Sequence, residues 1–148
     1  MGPLTITHDL TLFSDNQEYI GFANVKLGND VGMVISHIGF ASCVSPVTNI
    51  VLYLQNLLHV PTLNKNLLSV SKFANDNNVF FDFYSDSYYV KHQVTKQILF
   101  QGIIKDGLYI FPTLRSYPYS TNYTSFKFVA QQTWTLQFSC SQEHLKSM

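Results

Sequence analysis

Charge is what this sequence has least of. Asp, Glu, Lys and Arg together make up 12% of its 148 residues, nine acids against nine bases, where soluble domains average about 25%. A formal charge of zero leaves no electrostatic footprint of the kind that phosphate backbones attract, so no nucleic acid is expected as a partner. Cysteine is scarce too: the two, Cys43 and Cys140, stand far apart and in no Cys-x-x-Cys or His-flanked pattern. That argues against a disulfide framework and for a reduced, intracellular pair. Long apolar runs are missing too. The most apolar window, residues 50–60, is interrupted by Gln55, Asn56 and His59 and falls short of the roughly 20 residues a membrane span needs. Residues 1–8 carry neither a basic n-region nor an apolar h-region, so no signal peptide is read there. No membrane partner is expected, and a cytoplasmic location is. Without an export signal, Asn122-Tyr123-Thr124 is a chance match to the glycosylation sequon.

Catalytic patterns are equally thin. The chain has no His-Glu-x-x-His, no glycine-rich phosphate loop and no Ser or Cys at a nucleophile elbow. His8, His37, His59 and His92 are scattered; His37 and His59 fall on strand-like segments and read as partly buried, hydrogen-bonded residues rather than catalysts. No catalytic, cofactor-binding or metal-ligating residue is assigned, and no cofactor is expected.

Aromatic side chains are what the sequence has in quantity: 12 Phe and 9 Tyr within a hydrophobic content of 46%. A chain of this length buries roughly 70% of its unfolded surface and folds without staples. With so few charges, solubility rests on Asn, Ser, Thr, Gln and Tyr, and aggregation is a risk. Periodicity points to a mainly β fold. Residues 19–22 and 24–27, a Gly28-Asn29-Asp30 turn and residues 31–35 predict a hairpin in which Val25 and Leu27 share one face while Val31, Met33 and Ile35 repeat at the same spacing of two. Residues 49–54 and 57–60 predict a strand stopped by Pro61, which cannot donate to a ladder. Leu63, Leu67, Leu68, Val70 and Phe73 then recur at three and four, predicting one short helix over about residues 66–75, with Asn64 or Asn66 as N-cap. Residues 79–84, 88–91, 97–100 and 108–111 are short strands joined by turn-rich connectors, the pattern of an antiparallel meander. Residues 112–125 lose periodicity and gain Pro, Ser and Thr, which predicts a linker. No repeat of 20–50 residues is evident.

Several blocks, in order, resemble one family. They are Ile6-Thr7 with Asp9-Leu10-Thr11-Leu12-Phe13-Ser14; Val25-Lys26-Leu27-Gly28-Asn29 with Ile35-Ser36-His37-Ile38-Gly39; the long stretch from Leu57-Leu58-His59-Val60-Pro61 to Leu67-Leu68-Ser69-Val70-Ser71-Lys72-Phe73; and Gln101-Gly102 with Asp106-Gly107-Leu108-Tyr109. Together they are similar to the Pol polyproteins of copia-type (Ty1/copia) retrotransposons of plants. The resemblance implies a small retropepsin-like β-barrel over residues 1–76, a GAG-pre-integrase β-meander over 77–111 packed on or continuing it, a linker over 112–125, and a degenerate integrase-start tail over 126–148.

The family's protease chemistry needs two carboxylates in contact sharing one proton, one activating water while the other donates to the substrate carbonyl. Retropepsin-like enzymes obtain them by dimerisation, one Asp-Ser/Thr-Gly per chain. No Asp here is followed by Ser-Gly or Thr-Gly. The resemblance places the expected triplet at or before Met1, and Asp30, Asp82, Asp86 and Asp106 read as solvated turn acids. The run Trp134-Thr135-Leu136-Gln137-Phe138-Ser139-Cys140 with His144 resembles the start of the integrase zinc site, with Thr135 and Cys140 at its first two ligand positions. Cys140 and His144 alone cannot close a tetrahedral site, and the plainer expectation for this tail is a frayed C-terminal helix.

The expected function is thus a noncatalytic remnant of a copia-type Pol polyprotein. One alternative is an aspartic endopeptidase half-site completed by an upstream or partner Asp-Ser/Thr-Gly; the other is a host-recruited interaction module. A barrel without its active-site strand exposes unpaired backbone groups. Either self-association or a protein partner at that strand edge, or filling of the gap by residues 1–15, is expected.

Overall fold

The structure, a computed structural model, describes residues 4–26, 31–112, 114–117, 129–131 and 137–140. In chain order the elements are β1 (Ile6–Thr7), a 3-10 turn (Leu10–Leu12), β2 (Asp15–Glu18), β3 (Ala23–Lys26), β4 (Gly32–Val34), β5 (His37–Val44), β6 (Val51–His59), β7 (Leu67–Ser69), α1 (Val70–Asn77), β8 (Val79–Phe83), β9 (Ser87–His92), β10 (Ile98–Lys105), β11 (Leu108–Ile110), β12 (Arg115–Ser116), β13 (Val129–Gln131) and β14 (Gln137–Cys140). The fold is mainly β, with a single short α-helix among the described residues. One sheet has eleven strands, in the order β12-β5-β6-β1-β7-β13-β11-β10-β9-β8 with β2 also against β5, and a second runs β14-β3-β4.

The β5–β6 hairpin organises the chain. Its ladder pairs Val44 with Val51 and Ala41 with Leu54, then resumes at Gly39 with Leu57. Two steps on β5 therefore span three on β6, and the extra residue is taken up at Gln55 and Asn56, where Asn56 has a φ of 50°. Such a bulge inverts side-chain parity. Before it Leu52 and Leu54 face the larger core; after it Leu57 keeps that face while Leu58 and Val60 enter a second core. One strand thereby serves two cores.

The larger core holds Leu12, Ala41, Leu52, Leu57, Leu68, Phe73, Val79, Tyr88, Val90, Leu99, Phe100 and Phe111, so residues on both sides of position 76 share it. The predicted meander is present: β8–β9, β9–β10 and β10–β11 are all antiparallel. Gly102 lies opposite Tyr88, and a Cβ there would sit 2.2 Å from the tyrosine ring. The missing side chain lets the fully buried Tyr88 lie flat across β10, while its hydroxyl donates to the Ile110 carbonyl at 3.0 Å.

The helix departs from its predicted bounds. It runs Val70–Asn77, with Ser69 rather than Asn64 or Asn66 as N-cap accepting from the Lys72 N–H, and Asn78 in the left-handed region as C-cap. Residues 67–69 are a strand, antiparallel to Ile6 and parallel to Val129–Gln131. The reason lies in Leu67 and Leu68. Their periodicity fits a helix, but the structure buries Leu67 in the smaller core and Leu68 in the larger one, as only a strand between two cores can. Asn66 is engaged elsewhere: its Oδ1 accepts from the Thr7 hydroxyl at 2.6 Å and from the His8 N–H at 3.1 Å.

Three further segments differ from expectation. Residues 19–22 are not a strand; instead Asp15–Glu18 pair with His37–Phe40, and β3 with β4 makes the hairpin, its turn residues 27–30 outside the described ones. Ile6–Thr7, by contrast, fall within one of the two expected alternatives, a strand supplied by residues 1–15: they lie between β6 and β7, with the Thr5 and Thr7 carbonyls accepting from Leu58 N and Val60 N at 3.1 and 2.8 Å. Inside the expected linker, Arg115–Ser116 pair with Val44 and Cys43. The tail is strand, not helix, at Gln137–Cys140, which lie against Ala23–Lys26; Trp134, Thr135 and His144 lie outside the described residues. No helix among the described residues is long and apolar enough to cross a membrane.

Candidate functional site

The carboxylates come first, because the resemblance makes them the chemistry to look for. Asp82, on β8, accepts from Lys91 Nζ at 2.8 Å and from the Tyr84 hydroxyl at 3.1 Å, and the Lys91 ammonium holds its carboxyl below the usual range. Asp106 sits at φ 53° beside Gly107 at φ 75°, a two-residue hairpin turn. Asp86 is exposed in the β8–β9 connector, and Asp30 lies outside the described residues. Asp76 pairs with Lys72 at 2.6 Å across one helical turn. Asp9 caps the 3-10 turn, its Oδ1 accepting from Thr11 N at 2.9 Å and Thr11 Oγ1 at 2.6 Å.

A cluster that sequence inspection treated as scattered forms where β5 starts and β6 ends. His37 and His59 are cross-strand neighbours, with ring centroids 5.5 Å apart. Ser36 Oγ lies 2.8 Å from His37 Nδ1 and 2.5 Å from His59 Nδ1, while His59 Nε2 lies 3.2 Å from the His8 carbonyl. The Phe13 ring meets His59 edge-on at 6.3 Å. Backbone bonds hold the corner: Ser36 N donates to the His59 carbonyl at 2.8 Å, and Tyr19 N donates to the Ser36 carbonyl at 2.9 Å. A carbonyl only accepts, so His59 Nε2 carries the proton and Nδ1 accepts from the Ser36 hydroxyl. The Ser36 oxygen is then the acceptor for a proton on His37 Nδ1. His59 is 9% exposed. Burial holds its pKa below the ordinary histidine value, with the His37 ring adding to the effect and the His8 carbonyl and Asp9 opposing it.

The other expected groups lie elsewhere. His92 Nδ1 accepts from the Val94 and Thr95 amides in the β9–β10 turn. Cys43 is buried in the larger core, where desolvation pushes its thiol up to about 12, far from thiolate chemistry at neutral pH. Among the described residues, no group of three or more His, Cys, Asp or Glu side chains is arranged to hold a metal ion.

Beside the β6 bulge lies a groove of about 280 Å³ lined by Asp15, Asn16, Gln17, Phe40, Gln55 and Asn56, among others. In it β2 runs alongside β5 close to Gly39, where a Cβ would stand 2.0 Å from the Asp15 carbonyl oxygen. On and next to the β3–β4 hairpin, Ile20, Phe22, Val31 and Val34 are 62–90% exposed.

The comparisons with known proteins converge. Residues 4–79 match the family described as "Pol polyprotein, beta-barrel domain". The chain is 37% identical over 115 residues to the retrovirus-related Pol polyprotein from transposon RE1 of Arabidopsis thaliana, and 37% identical over 111 residues to that from transposon RE2. These alignments cover 78% and 75% of this chain but 8% of either relative. No solved structure gives a significant match.

Proposed function

Because this chain belongs to the Pol polyprotein β-barrel domain family, as a fragment of a copia-type retrotransposon Pol polyprotein, we propose that it acts as a noncatalytic scaffold segment of that polyprotein. In this reading residues 77–111 are the GAG-pre-integrase meander. The observation that carries it is the site chemistry: no Asp in residues 1–148 is followed by Ser-Gly or Thr-Gly, and Asp9, Asp76 and Asp82 are each engaged by a hydroxyl, an amide or a lysine. A shared-proton dyad needs two carboxylates free to face each other. The continuous core running from Leu12 to Phe111 supports a packing role for the meander.

Incubating the purified chain with a mixed peptide library between pH 4 and 8 is the test, and no cleavage is expected at any pH. Pepstatin-sensitive cleavage by the chain alone would overturn the proposal. Cleavage that appears only after adding an Asp-Thr-Gly-bearing segment would favour the half-site enzyme instead.

A second reading, a protein-interaction module, is favoured by the exposed Phe22, Val31 and Val34 beside β4, which is the last strand in its sheet among the described residues. On this reading the mass in light-scattering chromatography rises with concentration, and Val34→Asp returns it to that of a monomer. A monomer at every concentration counts against self-association.

A further inference from the structure

We propose that β7 and β11 form the walls of a preformed strand-accepting slot, that residues 129–131 occupy it as a detachable strand, and that the same segment supplied in trans can take their place.

The strand order carries this. β13 is the element that joins β7 to β11 in the larger sheet. It runs parallel to β7, with Val129, Ala130 and Gln131 opposite Leu67, Leu68 and Ser69. It is antiparallel to β11, with Ala130 opposite Tyr109 and Val129 opposite Ile110. Both of its edges are paired, yet the strand is only three residues long, and a parallel ladder is the weaker kind per residue. Residues 117–128 tether it to β12, which lies beside β5, five places away in the sheet order.

The walls of the slot are held without β13. β7 is paired on its other edge to Ile6 of β1, and β11 on its other edge to β10. Leu68 of β7 and Phe111, next to β11, belong to one buried core, so side-chain packing fixes the distance between the two strands. The chain adds a second constraint. β11 and β12 stand six places apart in the sheet order, about 29 Å at roughly 4.8 Å per strand, whereas the five residue steps from Ile110 to Arg115 reach about 18 Å at most. The sheet therefore curls, and the short link, with Phe111 and Leu114 buried in the larger core, holds β11 and β12 together independently of β13.

Withdrawing β13 leaves the backbone groups of Leu67–Ser69 and Leu108–Ile110 facing a gap two strand spacings wide, about 10 Å. That gap admits one extended strand, and unpaired N–H and C=O groups along both walls favour refilling it. Recognition runs through the main chain, as when an extended peptide adds to a sheet. While the tether is intact the segment in cis prevails, because a covalent connection of this length holds it at an effective concentration of the order of millimolar.

The test uses the full chain with a protease recognition sequence inserted within residues 118–125. After cleavage at micromolar concentration, native mass spectrometry should find the C-terminal piece still bound, and an excess of a labelled peptide spanning residues 126–140 should displace it. Once the piece is removed, protection from hydrogen exchange should fall about tenfold or more within residues 67–69 and 108–110 and persist in residues 87–92 and 98–105. Adding the peptide should restore it, and the same peptide with Ala130→Pro should neither displace the piece nor restore protection, since proline cannot donate to a ladder. A piece that never exchanges with the peptide, a peptide that does not rebind, unchanged protection at both walls, or loss of protection spreading across residues 79–105 would each overturn the proposal.

Discussion

The two cores of this molecule are built from different material. The larger one is aromatic: Phe73 lies edge-on to Phe111 at 5.5 Å and to Phe81 at 6.0 Å, Phe100 meets Phe111 at 5.0 Å, and Tyr88 stacks on Phe81 at 5.8 Å. The smaller one is aliphatic, with Leu4, Ile6, Val25, Ile35, Leu58, Val60, Leu63 and Leu67 buried and no buried ring among them. Buried polar atoms occur beside both: next to the larger core, Ser45 Oγ donates to the Leu99 carbonyl and Ser42 Oγ to the Tyr117 carbonyl. Thr5, Thr7 and His59 are buried where β1 enters between β6 and β7, and each is hydrogen-bonded to a segment distant in sequence. The aromatic core is closed mainly by hairpins between neighbours in sequence, the aliphatic core by contacts some fifty to sixty residues apart. The strand ladders around the first are thus mostly local, although its side chains come from Leu12 to Leu114, and the second needs Ile6 to reach Leu58 and Leu67.

That contrast can be broken in graded ways. The largest effect is expected from Phe73→Ala, which removes the ring touching Phe81, Phe100 and Phe111 and should cost about 3–5 kcal/mol in chemical denaturation. Protection from hydrogen exchange should fall first in residues 79–111. Leu58→Ala should cost less, about 2–3 kcal/mol, because its flexible aliphatic neighbours can partly collapse, and exchange should rise in residues 4–7 and 67–69 while the meander stays protected. If both variants raise exchange evenly along the chain, the two cores are one cooperative unit and the distinction fails. Ser69→Ala removes the acceptor for the Lys72 N–H and should cost about 1 kcal/mol.

A pH scan separates the cores without mutation. Burial lowers the folded-state pKa of His59, so below the ordinary value of about 6.5 the unfolded chain binds a proton that the folded chain resists. Stability therefore rises with pH in this window and is lost as pH falls below it, down to the folded pKa. Denaturation midpoints between pH 7.5 and 5 should decline, and His59→Gln should flatten that slope. The smallest effect belongs to Asp76→Asn, which breaks the pair with Lys72 and should change stability by no more than about 0.5 kcal/mol, less in high salt.

Much of the aromatic half was legible from sequence. Alternation in residues 79–111 with Asp106-Gly107 at a turn names the strands, their order and their antiparallel sense, since each strand pairs with its neighbour. The stop at Pro61 and the hairpin around Val25 were legible for the same reason. The aliphatic half was harder. Leu67 and Leu68 satisfy a helical period as well as a strand buried on both faces, and periodicity alone does not separate the two. Asp15–Glu18, Asp-Asn-Gln-Glu, has no apolar face and forms a strand only because Gly39 lets it lie close to β5. The histidine cluster had one signal: a β5–β6 hairpin would set residues near 37 opposite residues near 59. The bulge at Gln55 and Asn56 hides the register, and without the register His37 and His59 are merely two histidines.

By itself the sequence determined the lineage, the β class, the meander and the absence of an Asp-Ser/Thr-Gly motif in these 148 residues, because each is written in contiguous residues and their spacing. Only the tertiary structure decided where β6 changes face, that residues 67–69 are strand before the helix begins, that Ile6–Thr7 fill the space beside β6, and that Ser36 bridges two histidines. Those features depend on which of two buried surfaces a side chain meets, and that is settled by segments far apart in the chain closing on one another.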